Sequence, residues 1–414
     1  MCDIRIDFPL CKNSTVDVVL KECVREASRV LLDKAGSENL EALVLTGTLA
    51  RGEASALIRE DGTLFSWSDI EMLAVYRHGK MAGAGAGPLS QAAEELETSF
   101  RRRGFTIPID FCPNLRKHFR RLRARIFTIE LGTHGKVLWG DPSILDCVPF
   151  FPPEKLSRWD AISMLFNRMI EHLDMRRTIS TASHDELIQI QYWNNKIVLD
   201  SATSLLAFNG WFKPSYAERG DVFAESFEKL DDLSDRLPDL PDQVRRLTDS
   251  KLDPSDEGLW GAKVPEDPAS EVRRQWSESA RILREVWLWQ SNRFLGGKAA
   301  DDVFAVVSKY LKNDMIGIKV KSWIQLLLGR EGRRRVSPWR ALSLLSLARP
   351  NVLIYVAGAM MYFAMSEVKT RERAEKLEHA ADAANRFLPV PSEEWEEPRE
   401  VLGAVIDNWK WFVK

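Results

Sequence analysis

The sequence predicts an α/β domain in its first third and a large all-α remainder. Three observations carry that expectation. Leu43-Val44-Leu45 is a short apolar run that ends in a turn at Gly47-Thr48, as a buried strand would. Trp67-Ser68-Asp69-Ile70-Glu71 opens a second apolar run, Met72 to Tyr76, which suits a central strand buried on both faces. Beyond residue 151 the apolar residues change period: Trp159, Ile162, Leu165, Phe166, Met169 and Leu173 recur at helical spacing.

Whole-chain properties bound the reading. A chain of 414 residues exceeds what one compact core normally serves, which predicts two or three domains. The apolar content of 45% and charged content of 29% are those of an ordinary soluble protein. The 60 acidic and 58 basic residues nearly cancel, so no global field argues for a nucleic-acid or membrane partner. Five cysteines (Cys2, Cys11, Cys23, Cys112, Cys147) contain no Cys-x-x-Cys pair, which fits reduced thiols in a cytosol. The first residues lack an apolar stretch of signal-peptide length, so a cytoplasmic protein is expected.

Taken in order, the chain first shows a helix. Ser14 reads as its N-cap with Asp17 as capping-box partner, Val16 to Leu31 supply its apolar stripe, and Gly36 ends it. The strand at 43–45 follows. The glycine-rich stretch 79–88 has its lysine first, whereas a phosphate loop needs it at the end of the run, so a mobile connection into a helix from Leu89 to Arg103 is expected. Residues 105–111 read as a strand, and Pro108 argues for an edge or a bulge. Asp110, between Ile109 and Phe111, is an acid in an apolar frame, which is costly unless it is paired or ligating. The basic run 116–125 reads as a solvated helix face, part of which could reach a triphosphate. Residues 127–131 read as another strand, and 135–142 as the close of the domain before Pro152-Pro153.

The remainder reads as helices at 156–173, 186–208, 271–289 and 301–328, with 230–268 as a long polar connection and Arg333–Arg335 as a solvated loop. Residues 352–365 are the most apolar and too short to span a bilayer, which takes about 20 apolar residues, so a buried helix is expected. The 14 tryptophans read as core anchors, because they lack interleaved basic residues at strand spacing.

The chemistry is concentrated in the first third. Side chains alternate along a strand, so Asp69 and Glu71 point the same way with Ile70 opposite. Two carboxylates on one face repel unless a cation lies between them, and hard cations such as Mg²⁺ take oxygen ligands. The glycine at Gly47 lets backbone approach a bound group closely.

Gly47-Thr48 followed by Asp69-Ile70-Glu71 resembles the signature of the DNA polymerase beta-like nucleotidyltransferase superfamily. The wider strings Gly47-Thr48-Leu49-Ala50-Arg51-Gly52-Glu53 and Ser68-Asp69-Ile70-Glu71 are similar to its small bacterial branch, which includes antibiotic nucleotidyltransferases. Thr48 stands where serine is usual and keeps the hydroxyl; residues 54–67 exceed the usual loop, which suggests an inserted hairpin around Asp61-Gly62. The resemblance implies a mixed sheet in a catalytic domain at 1–151, a helical substrate-cleft domain at 152–230, and a further C-terminal helical region at 231–414.

It also implies a reaction: transfer of an NMP from an NTP, with ATP the expected donor, to a hydroxyl or similar group of a small molecule, releasing pyrophosphate. Asp69, Glu71 and Asp110 would hold two Mg²⁺ (or Mn²⁺) ions, and Glu130 is a candidate general base. Gly47, Thr48, Arg51 and Ser68 would contact the nucleotide. Lys196, mid-helix beside Ile197 and Val198, is the expected further cation for the phosphates. Nucleic acid and membrane are not expected partners, and the oligomeric state stays open. A toxin/antitoxin-type nucleotidyltransferase acting on a protein or RNA, and a noncatalytic scaffold of the same fold, are the alternatives. Arg168 and His172 are similar to the Arg/His pair of helical toxin ribonucleases, a spacing that arises freely on one helix.

Overall fold

The apolar run at 43–45 is the end of a longer strand, Leu40–Leu45 (β1), in a computed structural model that describes residues 4–261, 263, 265–296, 302–366, 370–392 and 397–413. Cys2 lies outside the described residues. The further strands are Ala56–Ile58 (β2), Leu64–Ser66 (β3), Ile70–Tyr76 (β4), Phe105–Thr106 (β5), Ile109–Leu115 (β6) and Lys136–Gly140 (β7). Four of them form a sheet in the order β6-β4-β1-β7, with β4 and β6 parallel and β1 antiparallel to both β4 and β7, so the sheet is mixed. β2, β3 and β5 form a second, small sheet. Its β2–β3 hairpin turns at Gly62, whose φ is +82°, and Asp61 accepts hydrogen bonds from the Thr63 backbone and hydroxyl, so the expected insertion around Asp61-Gly62 is present.

Alternation along the strands divides the sheet between two cores. Leu43, Leu45, Ile70, Met72, Ala74 and Tyr76 face one side, with the helices Ser14–Ala35 and Gly79–Arg102 supplying Leu20, Val24, Leu31, Leu89 and Phe100. Each fully buried leucine or valine there stabilises the unit by about 1.5–3 kcal/mol relative to exposure. Ala42, Val44, Leu73 and Val75 face the other side, against Phe119, Leu131 and Ile144. Pro108 breaks the extended stretch 105–115 between the two sheets; its carbonyl still accepts from Ile70 N at 2.8 Å, and β6 beyond it is an edge strand. That agrees with a residue that cannot donate to a ladder.

Several local expectations are corrected. Asn13, not Ser14, caps the first helix, accepting from the N–H of Thr15 and Val16, while Asp17 accepts from Leu10 N. The glycine-rich stretch is helical from Gly79, with Pro88 inside the helix; alanine, the strongest helix former, alternates with its glycines, and the buried face from Leu89 to Phe100 anchors the rest. Residues 127–131 lie in the helix Ile126–His134 rather than a strand, because five alternating residues satisfy either period. The polar connection 230–268 contains the helices Asp232–Arg236, Leu240–Leu252 and Asp256–Trp260, and Arg333–Arg335 close the helix Arg330–Arg335. The expected 301–328 helix is two, Val303–Lys312 and Ile316–Leu328.

The chain forms two compact units. One takes Met1–Asp160, Asn209–Lys229 and Pro238–Val264; the other takes Ala161–Phe208, Leu230–Leu237 and Pro265–Lys414. The chain passes between the units after residues 160, 208, 229, 237 and 264, the third of these beside the division expected at 230. The described part of the second unit is helical. His172 on the helix Arg158–Arg176 lies between Asn194 on His184–Phe208 and Tyr362 on Pro350–Ser366, at 2.7 Å from each, and stacks on Trp276 of Pro268–Leu295. Asn194 Oδ1 can only accept, so His172 Nε2 donates to it and Nδ1 accepts from the Tyr362 hydroxyl. His172 is thus a core histidine and not a ribonuclease-type surface group. The Pro350–Ser366 helix is buried almost throughout, as expected of 352–365. Among the described residues no single helix is long and apolar enough to cross a membrane; Pro338–Leu345 and Pro350–Ser366 pass only as a pair bent by 76°.

Candidate active site

β1 leaves the sheet at Thr46, whose N–H donates to the Glu71 carbonyl at 2.9 Å, and the chain turns at Gly47 into the single helical turn Gly47–Ala50. Gly47 has a φ of +70°, and a Cβ placed there would stand 2.4 Å from Glu71 Oε2. The glycine is therefore needed for two reasons: a left-handed backbone and the space that the Glu71 carboxylate fills. The Thr46 hydroxyl reaches the same carboxylate at 3.3 Å.

Asp69 is the residue before β4 and is exposed; Ile70 is fully buried on the opposite face; Glu71 is half-buried. Along the parallel β4–β6 ladder Glu71 pairs in register with Asp110, which is also exposed. Neighbouring strands lie about 4.8 Å apart, and in-register neighbours project to one face. Asp69, Glu71 and Asp110 thus share the face and the end of the sheet at which the Gly47 turn stands. Among the described residues, no group of three His, Cys, Asp or Glu side chains is gathered closely enough to hold a metal ion. The donor set is nonetheless all carboxylate oxygen, which suits a hard cation.

The other predicted residues differ in exposure and partners. Thr48 is half-buried in the same turn, its carbonyl accepting from Glu53 N at 3.0 Å. Arg51 has a side chain only 4% exposed: Nε donates to Glu53 at 3.1 Å, and Nη1 forms an ion pair with Glu130 at 2.9 Å without hydrogen-bond alignment. Glu130 also accepts from Arg219, so both of its oxygens are engaged with guanidinium groups. Arg51 and Glu130 therefore stand in a buried charge network rather than open to a phosphate or an attacking hydroxyl. Ser68 is buried and accepts from Ser55 N at 2.8 Å, holding the loops on either side of the hairpin. Lys196 belongs to the second unit, with its ammonium 4.3 Å from the centre of the Trp193 ring. The basic run starts at the far end of β6 from Asp110, so Arg116 stands about 20 Å away along the strand. There Arg116 pairs with Glu41 and Asp141.

The structure also gives Glu53 a place that its sequence context did not reveal. It accepts from Ser215 Oγ at 2.7 Å, from Tyr216 N at 2.9 Å and from Ala217 N at 3.3 Å, at the start of the helix Tyr216–Ser226. An anion suits the positive end of a helix. Burial alone would push this carboxyl up, but the Tyr216 N–H, the Ser215 hydroxyl and Arg51 outweigh it and hold it below the usual range. Beside it, Ser55 Oγ and Lys251 Nζ lie 3.1 Å apart, and that ammonium sits 4.5 Å from the Tyr216 ring centre. The Gly-Glu string at 52–53 was the only local signal; Ser215, Tyr216 and Ala217 are more than 160 positions away. Compared with known proteins, the chain matches no protein-family model, no curated protein and no solved structure.

Proposed function

We propose that the chain is a metal-dependent nucleotidyltransferase that moves an NMP from an NTP, with ATP the expected donor, to a hydroxyl or similar group of a small molecule and releases pyrophosphate. The observation that carries this reading is the in-register pairing of Glu71 with Asp110, which brings a distant third carboxylate beside Asp69-Ile70-Glu71 at the Gly47 turn. Asp69 and Glu71 would hold both ions and Asp110 the one nearer the acceptor; bound there, Mg²⁺ would neutralise the α-phosphate and lower the pKa of the attacking hydroxyl. Gly47 and Thr48 would seat the β- and γ-phosphates. With Arg51 committed to Glu53 and Glu130, further phosphate charge would fall to other cations.

The test is pyrophosphate release from ATP with a panel of hydroxylated acceptors. Turnover should vanish with chelator and return with Mg²⁺, and Asp69→Asn and Asp110→Asn should each lower it by several orders of magnitude, because residues acting as a unit fail together. Turnover that survives both chelation and Asp69→Asn would sink the assignment.

A second reading is favoured by the commitment of Arg51, Ser68 and Glu130 to structural contacts: a noncatalytic scaffold of the same fold. It predicts ATP binding or none at all, and in either case no pyrophosphate from any acceptor.

A further inference from the structure

The helix Ile316–Leu328 is built the wrong way round for a protein surface. Its lysine at 319 is buried and donates to the carbonyls of Ser346 and Leu347, and Trp323 is buried with its indole N–H on the Ala348 carbonyl. The adjoining side carries Ile316, Val320, Ile324 and Leu328, four residues apart each time, and these are 65%, 37%, 52% and 66% exposed. The next long helix, Pro338–Leu345, adds Trp339 at 81% and Leu342 at 60%. A contiguous apolar stripe of this kind on a helix marks an interaction surface, since scattered exposure would not repeat at one spacing.

Charge identifies the partner. Residues 309–349 hold ten basic and two acidic residues, in a chain whose formal net charge is −2. Several of the ten are committed: Lys319 as above, Arg335 to Glu331, Arg340 to the carbonyls of Asn385, Arg386 and Leu388, and Arg349 to Asp314. Lys312, Lys321, Arg330, Arg333 and Arg334 are exposed. Exposed aliphatics, a tryptophan and a local cation excess together match a surface that lies on an anionic bilayer, the apolar groups entering the headgroup region and the cations meeting lipid phosphate and carboxylate. A second copy of the chain would bring like charge against like charge, and a nucleic acid would leave the aliphatic stripe in water. The near-neutral whole-chain balance concealed this, because the excess is local.

We propose that the Ile316–Leu328 and Pro338–Leu345 helices with their flanking cations form a docking surface for an anionic phospholipid membrane, independently of the reaction proposed above. The test is co-sedimentation of the full chain with vesicles of phosphatidylcholine alone or with a third of phosphatidylserine. Binding should be at least about tenfold tighter to the anionic vesicles and should weaken steeply as salt is raised. Arg333→Glu with Arg334→Glu, and separately Ile324→Ser with Leu328→Ser, should each lower that binding by roughly tenfold with unchanged circular dichroism. The lipid and salt comparisons use the unaltered chain, so they stand even where a variant misfolds. Equal binding to both vesicle types, or none, overturns the proposal. Self-association that the Ile324→Ser/Leu328→Ser variant abolishes, without vesicle binding, would give the surface to a second copy. Binding to duplex RNA that ignores the apolar variant would give it to nucleic acid.

Discussion

Gly47 and Glu71 act as one feature. The carboxylate occupies the volume that any other residue's Cβ would take, 2.4 Å from Oε2, and the backbone is left-handed there. Gly47→Ala should therefore push Glu71 off its position beside Asp110, in addition to about 1–2 kcal/mol of backbone strain. Under the proposed function, pyrophosphate release should fall by about a hundredfold, as for an ångström of misplacement in a site. The melting temperature should fall by no more than roughly 5 °C. Parallel losses in activity and melting temperature would show that Gly47 serves only the fold. The pairing of Asp69 with Glu71 is legible from alternation alone. Arg51 and Ser68 are not: nothing in their neighbourhood shows whether a polar side chain turns to a ligand or to a distant carboxylate or amide.

Among the elements, the helices around His172 make a second test. Burial, far outweighing the Asn194 hydrogen bond, takes this imidazole from its ordinary 6.5 to about 3, so it stays neutral in the folded chain. An unfolded chain binds the proton below about 6.5 and the folded one does not. Stability from this group is thus fully present above that value and is lost as the pH falls toward about 3, by roughly 1.4 kcal/mol per pH unit. In chemical unfolding followed by tryptophan fluorescence, His172→Gln should be destabilised at pH 7.5, by about 1–3 kcal/mol for its unmet partners. The gap between variant and wild type should narrow at pH 5.5. Parallel curves would mean that the imidazole titrates alike in both states. The helical period at 156–173 announced this element, whereas the histidine's burial came only with Trp276 and Tyr362, both more than 100 positions downstream.

At the scale of the molecule, the first unit is completed by two returning segments, Asn209–Lys229 and Pro238–Val264. Ser215, Tyr216 and Arg219 meet Glu53 and Glu130, and Lys251 meets Ser55. A fragment ending at residue 151 would leave Glu53 and Glu130 without those partners, and breaking a buried charge pair costs about 3–5 kcal/mol. That fragment should express insolubly or melt well below the full chain. A soluble fragment with a cooperative transition near that of the full chain would show that the returning segments are dispensable.

What the sequence by itself determined is local and periodic: the α/β start, the helical remainder, the strand carrying Glu71 just after Asp69, the hairpin at Asp61-Gly62, and the apolar helix at 352–365. Each rests on alternation, on a 3.6-residue period or on turn chemistry, all read over a few neighbouring residues. Tertiary structure alone decided the register that sets Asp110 beside Glu71, the helix at 126–134, the two returning segments, and the pairing of Arg51 with Glu130. These depend on pairings across tens to hundreds of positions, where the free energy of an ion pair or a strand register belongs to both partners and is written in neither one alone.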